Sequence, residues 1–151
     1  SVVDWLRKKG ISTAQKKSNR DASEGLITIT TSNNMASIVE INSETDFVAR
    51  NLDFQNFCAK ISEFVLNEKI RTIDELNRNN NINQDLTNLI SKVGENLVIK
   101  RLKFIDEDNL FLQKYIHGSV NENSGKIGVL IQFHCDKTFS VLEMHPMKLI
   151  G

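Results

Sequence analysis

The chain changes from strand to helix over residues 39–51, VEINSETDFVARN. The first part of this stretch carries the apolar, β-branched side chains of Val39 and Ile41, which are typical of a strand. Residues 43–46, SETD, follow directly, and these residue types commonly cap the start of a helix. We therefore predict a strand, an acidic corner and a helix in immediate succession.

The segments on either side of this stretch extend the same pattern. Residues 26–31, LITITT, and residues 36–41, ASIVEI, are rich in β-branched side chains and flank a turn, so they predict an antiparallel hairpin. Downstream, apolar side chains recur with helical spacing on one face: Phe54, Phe57, Cys58, Ile61, Phe64 and Val65. We interpret this stripe as core packing and give Cys58 no chemical role.

The rest of the chain predicts shorter elements. A first helix ends at Gly10 and a polar connector follows it. Because Asn competes for helical hydrogen bonds, the Asn-rich residues 77–83 predict an exposed loop. The remaining predicted elements are a helical stretch from residue 73, a helix over 86–93, and strands over 97–105, 111–116 and 127–133. From residue 134 onward the pattern predicts no element. The fold class is α+β, a small antiparallel sheet packed against helices.

Composition and charge limit the classes of partner. The chain has 151 residues, of which 40% are hydrophobic and 25% charged, as in a globular domain. Lys plus Arg and Asp plus Glu are 19 each, so the formal net charge is zero. A neutral protein exerts no long-range attraction on nucleic acid or on an anionic membrane. We expect neither as a direct partner, and two distant cysteines favour a reducing compartment.

Motifs of covalent catalysis are missing from the sequence. It contains no phosphate-binding loop of the GxxxxGK type, no GxSxG and no HExxH. On local grounds His117 packs or caps at a strand end, and Asp46 caps a helix. A small hydrolase built on Asp46 and His117 is an alternative, but no nucleophile motif supports it. We predict no enzyme, no cofactor and no metal ligands.

The corner and four further stretches resemble one family. The run Thr45–Ala49, TDFVA, after a strand that ends Glu-Ile-Asn, resembles the signature of the elongation factor Ts family. The other stretches occur in the family's order: WLRKKG at 5–10, ASEGLI at 22–27, KVGENL at 92–97, and YIHG at 115–118 with KIGVL at 126–130. The resemblance covers residues 4 to about 133.

The resemblance implies a fold and a division into domains. It implies a core subdomain of this family's dimerisation type, preceded by the remnant of a helical module that resembles a ubiquitin-associated (UBA-like) domain. We predict the end of that module at 1–10, a linker at 11–24, the first core subdomain at 25–110 and the start of a second, truncated or divergent one at 111–151. We thus expect a chain shortened at both ends relative to the family.

The resemblance also implies a function and its residues. Members of the family bind the GTPase elongation factor Tu, in its GDP-bound and nucleotide-free states, and promote GDP release by disturbing the Mg²⁺ and phosphate site. The matching positions imply partner contacts near the Mg²⁺ site by Asp46, Phe47, Val48 and Ala49. Val93 takes the place of an Ile that lies beside the Phe in the family. His117 matches a His that contacts the partner near its phosphate-binding region.

Two alternatives and a compartment complete the expectations. The basic strand with Lys100, Arg101 and Lys103 favours an RNA- or ribosome-associated α+β binding module without exchange activity. A homodimer is a further partner that we consider, because unpaired sheet edges favour self-association. We expect the cytoplasm as the compartment, with the mitochondrial matrix as the alternative.

Overall fold

The computed structural model describes residues 1–146. These residues form five helices: α1 (Val2–Lys17), α2 (Asp46–Ala49), α3 (Leu52–Glu68), α4 (Ile73–Asn77) and α5 (Asn80–Val93). They also form seven strands: β1 (Glu24–Ser32), β2 (Met35–Ser43), β3 (Val98–Asp106), β4 (Leu110–His117), β5 (Ser124–Gly125), β6 (Ile127–His134) and β7 (Phe139–Met144). The predicted α+β class is confirmed. Residues 147–151 of the predicted second core subdomain lie outside the described residues.

The predicted hairpin is the centre of the first sheet. Strands β1 and β2 pair antiparallel in an unbroken register in which Ile29 lies opposite Ile38. Their turn places Asn33 at a φ of 54°, a left-handed conformation that Asn adopts more readily than most residues. Strand β3 adds to β2 and the short β5 adds to β1, which gives the order β3-β2-β1-β5.

Helix α3 covers one face of the first sheet. Its side chains Phe54, Ile61 and Val65 pack with Leu26 and Val39 from the two central strands in one buried cluster. Each of these five side chains is fully buried. The apolar stripe is therefore core packing, as its periodicity predicts, and it holds the helices to the sheet.

The opposite face of the first sheet packs on a second sheet. This sheet is antiparallel with the order β4-β6-β7. Ile27, Ile29 and Ile38 of the first sheet form a second buried cluster with Leu130 and Met144 of the second. The described residues thus form three layers, with helices, a first sheet and a second sheet in that order.

The outer face of the second sheet, which points away from the first sheet, is apolar and exposed. It carries large exposed side chains from all three strands: Phe111, Tyr115, Phe133, Phe139 and Val141. The register aligns Phe111, Phe133 and Phe139 in one row across the strands. Antiparallel sheets usually present mainly polar side chains to water on their solvated face, whereas the polar strand residues of this face are only Gln113, His117 and Glu143 among the described residues.

The predicted end of the first helix at Gly10 is wrong. Helix α1 continues to Lys17, so the predicted linker at 11–24 begins inside the helix. Gly10 is buried on the side that faces α5, and a methyl carbon of Thr87 lies 3.7 Å from where its Cβ would be. A Cβ at this position would make ordinary van der Waals contact with Thr87, so Gly10 lies in the packed surface between α1 and α5. The division into domains and the UBA-like remnant stay predictions.

The predicted exposed loop over residues 77–83 is also wrong, because the asparagines cap helices there. The Asn79 side chain accepts a hydrogen bond of 3.0 Å from the Ile82 N–H at the start of α5. The Asn83 side-chain amide donates one of 2.7 Å to the Asn77 carbonyl at the end of α4. Asn side chains that satisfy free backbone groups of this kind favour helix ends.

The end of the described chain forms a strand that the sequence pattern does not predict. Strand β7 pairs antiparallel with β6, and Met144 is its last residue. The sequence comparison with the family leaves open whether Met144 and His145 form a divergent helix or an altered end. In the structure Met144 is strand and His145 follows it without regular structure.

Gly128 tests the contact between the two sheets. A Cβ at this position would lie 2.6 Å from the Ile27 Cγ2 of the facing sheet. We expect Gly128→Ala to lower the free energy of unfolding by about 1 kcal/mol, because an overpacked core must shift. Urea unfolding would measure this loss. Gly94→Ala is an unsuitable control because φ is +76° there, so an Ile131→Val variant serves instead. A Gly128→Ala protein as stable as the parent would contradict the tight packing.

Candidate functional site

The corner, defined here as residues 43–47, is held by a distant carboxylate. The Thr45 N–H donates to Glu95 Oε1 at 2.9 Å, and the Thr45 hydroxyl donates to Glu95 Oε2 at 2.6 Å. Thr45 is the N-cap of α2, but its own side chain makes no capping bond. Glu95 therefore supplies a carboxylate that orders the start of this short helix.

A second carboxylate crosses between the same two segments in the opposite direction. The Asn96 N–H donates to Glu44 Oε1 at 2.7 Å. The guanidinium of Arg20 lies 3.5 Å from the same oxygen. Within the corner, the Ser43 hydroxyl donates to the Thr45 carbonyl at 2.8 Å. The acidic corner and the Gly-Glu-Asn turn are therefore joined by reciprocal charge-assisted hydrogen bonds.

The residues that follow the corner anchor it in the core. Val48 is 7% exposed and Ala49 is 1% exposed, and both belong to the cluster between helices and sheet. Asn51 then caps α3 by accepting a hydrogen bond of 3.1 Å from the Phe54 N–H. The buried side chains of Val48 and Ala49 thus fix the backbone of α2, and their predicted contact with a partner stays a prediction.

Phe47 points out of this anchored corner. Its side chain is 80% exposed, the highest value among the large hydrophobic side chains that are exposed in the described chain. Helix α2 has a single turn, and Val48 and Ala49 occupy its buried side. The ring of Phe47 therefore lies in water on a backbone that cannot easily move.

Asp46 forms an ion pair with Lys126, which sequence reasoning did not assign to the site. The Lys126 ammonium donates a hydrogen bond to Asp46 Oδ1 and lies 3.6 Å from Glu24 Oε2. This hydrogen bond, more than the charges of Lys126 and Arg50, holds the pKa of the Asp46 carboxyl below its usual range, although partial burial opposes the shift. Asp46 is therefore ionised at neutral pH.

The two supporting positions lie at the ends of other elements. Val93 is the last residue of α5 and packs, half-buried, on the cluster between helices and sheet. His117 is the last residue of β4, is exposed, and its Nδ1 lies 3.5 Å from the Tyr115 hydroxyl. The backbone N–H of Lys126 donates to the His117 carbonyl at 3.0 Å. Lys126, between β5 and β6, thus contacts both Asp46 in the corner and His117 at the end of β4.

The remaining chemically reactive groups do not gather at this site. Burial raises the pKa of the Cys58 thiol well above its usual range, so the thiol stays protonated in the core. Within residues 1–146, no three side chains of His, Cys, Asp or Glu come together in a way that could hold a metal ion. None of the helices described here is long and apolar enough to cross a membrane.

The basic strand β3 is only partly available to a ligand. The Arg101 Nε lies 2.5 Å from Oε1 of the buried Glu40, and its Nη2 donates to the His145 carbonyl at 2.8 Å. Lys100 and Lys103 are exposed. One of the three basic residues behind the RNA-binding alternative therefore serves contacts within the chain.

Comparison with known proteins gives one family model and several relatives that share its name. The family model described as Elongation factor TS matches residues 44–148. The elongation factor Ts of Methylorubrum populi is 38% identical in an alignment of 147 residues that covers 94% of this chain and 48% of that protein. The elongation factor Ts of Clostridium kluyveri is 40% identical over 151 residues, with the same two coverages. That of Rhodospirillum centenum is 41% identical in an alignment of 136 residues that covers 87% of this chain and 44% of the relative.

The chain spans about half the length of the curated relatives it matches. The matched range includes residues 44–47 of the corner, the Gly-Glu-Asn turn and His117. The family model matches about two thirds of the chain, and these relatives are 38–41% identical to it. The chain belongs to the elongation factor Ts family.

Proposed function

We propose that this chain binds elongation factor Tu and promotes the release of GDP from it, as a guanine nucleotide exchange factor. One observation carries the proposal: Phe47 is 80% exposed on a corner that two carboxylates, Glu44 and Glu95, hold in place. An exposed aromatic ring on a rigid backbone is well suited to be the energetic centre of an interface, since binding orders little else. Membership of the elongation factor Ts family supports the same function.

The physical basis of exchange is linkage between two ligands of one GTPase. A GTPase holds GDP partly through Mg²⁺, which is coordinated by phosphate oxygens and protein groups. An exchange factor binds the nucleotide-free GTPase more tightly than the GDP-bound GTPase. By linkage, it lowers the affinity of the GTPase for GDP as many fold as GDP lowers the affinity of the GTPase for the exchange factor. No covalent bond forms or breaks, so we propose no enzymatic reaction and no cofactor for this chain.

Each predicted residue has a role in this proposal. Phe47 inserts into the partner, and the ionised Asp46 disturbs the polar groups that hold the Mg²⁺ and its water. Val48 and Ala49 hold the corner from the core, which their burial supports. Val93 supports the ring from the end of α5. Asp46, Phe47, Val93 and His117 are called the exchange surface below, with His117 directed to the phosphate-binding region.

A direct assay tests the proposal. Elongation factor Tu carrying a fluorescent GDP is mixed in a stopped-flow instrument with an excess of unlabelled GDP, with and without this chain. We expect the rate of fluorescence change to rise with the concentration of the chain and to reach a plateau. A rate that stays at its intrinsic value at every concentration would contradict the proposal. We propose the cytoplasm as the compartment, with the mitochondrial matrix as the alternative.

Asp46 is expected to act through the metal. We predict that Asp46→Ala slows GDP release about fivefold at millimolar Mg²⁺, the lower end of typical coupling between two sites. The difference from the parent should shrink as Mg²⁺ is removed, because the metal no longer holds the nucleotide. Release rates over a Mg²⁺ titration measure this effect. Asp53→Ala removes the carboxylate of another surface ion pair, 2.7 Å from Lys92, and is the control. Identical Mg²⁺ dependence in Asp46→Ala and parent would refute this role.

The RNA-binding alternative has limited structural support. Lys100 and Lys103 remain exposed on β3, whereas Arg101 is paired with Glu40. Binding to RNA that weakens steeply with salt, together with no effect on GDP release, would favour this alternative. We propose no direct nucleic acid partner.

We also propose a homodimer through the outer face of the second sheet. Among the described strand residues, Glu143 and His117 are the only acidic or basic side chains on this face, so two copies can meet without strong charge repulsion. We expect sedimentation equilibrium to give a mass that rises with concentration. Replacing Phe111 and Phe139 with Ser should keep the protein monomeric at concentrations about tenfold higher. Val3→Ser, on the equally exposed α1, is the control, and equal association of both variants would contradict this interface.

A further inference from the structure

Lys126 lies where the two sheets meet beside the corner. It is the residue between β5, which belongs to the first sheet, and β6, which belongs to the second. Its backbone N–H is bonded to the His117 carbonyl at the end of β4. Its ammonium contacts Asp46 at the start of α2 and Glu24 at the start of β1. One residue, through its backbone N–H and its side chain, therefore connects His117 and Asp46, two members of the exchange surface that are 71 positions apart in sequence.

The path of the Lys126 side chain depends on a glycine. Gly118 has a φ of +61°, and a Cβ placed there would lie 3.2 Å from the Lys126 Cβ and 3.1 Å from its Cγ. The aliphatic part of Lys126 thus passes over a position where only glycine leaves full space and adopts the backbone without strain. The sequence order His117, Gly118 and then Lys126 across a loop is what allows this lysine to reach the corner.

The charges explain what the lysine does to Asp46. Asp46 and Glu24 are about half exposed, with side-chain exposures of 47% and 46%, whereas Lys126 is 33% exposed. Both carboxylates share one ammonium, and Arg50 is the other cation that acts on Asp46. Without Lys126 the Asp46 side chain would lose its only hydrogen-bond donor among the described side chains and would sample several rotamers.

We propose that Lys126 is a positioning residue of the exchange surface, which fixes Asp46 beside the end of β4 so that Asp46, Phe47 and His117 meet the GTPase in one arrangement. This inference rests on the proposed exchange function. A surface ion pair adds little to folding stability. Its effect is to order groups before binding, which lowers the entropy lost when the complex forms.

Three variants test this role with two measurements. Lys126→Met removes the ammonium and keeps most of the aliphatic stem, and Lys126→Arg keeps a cation within reach. Gly118→Ala displaces the stem without changing any charge. Lys60→Met, which breaks the ion pair between Lys60 and Asp85 on the helical side, is the matched control. The measurements are an NMR titration of the Asp46 carboxyl and the concentration of the chain that gives half-maximal GDP release.

We expect Lys126→Met to raise the pKa of Asp46 towards its ordinary value and to raise the half-maximal concentration about fivefold, with the maximal release rate within about twofold of the parent. Lys126→Arg should restore both quantities, Gly118→Ala should change both in the direction of Lys126→Met, and Lys60→Met should change neither.

Two results overturn the inference in different ways. In the first result, the parent accelerates GDP release and Lys126→Met shows the same half-maximal concentration as the parent. In that case the ion pair has no part in exchange and Lys126 is not a positioning residue. If the parent does not accelerate release at all, the exchange function fails and the positioning role fails with it, whatever the titration of Asp46 gives. The parent measurement therefore separates the two failures.

Discussion

Replacing Phe47 with Ala should slow the release of GDP from elongation factor Tu at least tenfold. The truncation of an aromatic anchor in an interface removes roughly 2 kcal/mol, which corresponds to about 30-fold. The ring is 80% exposed in the free chain, so it contributes little to folding and its loss should not unfold the protein. The stopped-flow assay with fluorescent GDP measures the rate, and thermal unfolding measures the stability.

The control for Phe47→Ala is a second exposed phenylalanine. Phe111 is 72% exposed but lies on β4, on the outer face of the second sheet. Phe111→Ala should keep the release rate within about twofold of the parent, since general loss of apolar surface has little effect on a specific interface. If both variants release GDP at the same rate as the parent, Phe47 has no part in exchange. If both lose activity equally, the effect does not come from the corner.

Elements with strong local periodicity could be predicted from sequence. The hairpin of β1 and β2 follows from alternating β-branched side chains around a turn, and α3 follows from its apolar stripe. The helix that ends at Gly94 and the strand β3 were predictable for the same reason. In α3 the apolar stripe and the buried face coincide, whereas β1 and β2 are buried on both faces and are recognised by their β-branched side chains and the turn between them.

The failures concern residue types that can either end a helix or take part in one. Gly10 is a helix-ending signal in isolation, yet it lies inside α1 because α5 packs against it. The asparagines around residue 80 have low intrinsic helix propensity, yet Asn79 caps α5. For Gly10 the packing of α1 on α5 overrides the helix-ending signal, whereas for Asn79 a capping hydrogen bond three residues away favours a helix start over a loop.

In the candidate site, the contacts that local sequence could not predict join residues far apart in the chain. The positions of Asp46, Phe47 and His117 could be inferred from a resemblance, but their connection could not. Glu95 is 50 residues from Thr45, and Lys126 is 80 residues from Asp46, so nothing in local spacing indicates either contact. The signal that could have found them is the position of both residues inside the stretches that resemble the family: the Gly-Glu-Asn turn and the Lys-Ile-Gly-Val-Leu strand.

Replacing Glu95 with Ala should loosen the corner and so affect stability and exchange together. The variant loses hydrogen bonds of 2.9 Å and 2.6 Å from Thr45 to one carboxylate. Hydrogen bonds to charged groups contribute about 1.5–3 kcal/mol each, and partial exposure of the site reduces the sum to about 2 kcal/mol. For a domain of this size, thermal unfolding should shift down by about 6 °C.

Exchange should fall by about tenfold in Glu95→Ala, because Phe47 would then meet the GTPase from a corner that must first be ordered. Glu95→Gln keeps the shape and one strong acceptor, so its losses should lie between those of Ala and the parent. Glu63→Ala, on the exposed face of α3, removes a carboxylate without partners of this kind and is the control. If Glu95→Ala has the same unfolding temperature and GDP release rate as Glu63→Ala, the corner is rigid without the hydrogen bonds from Thr45 to Glu95. The exposure of Phe47 would then depend on the burial of Val48 and Ala49 alone.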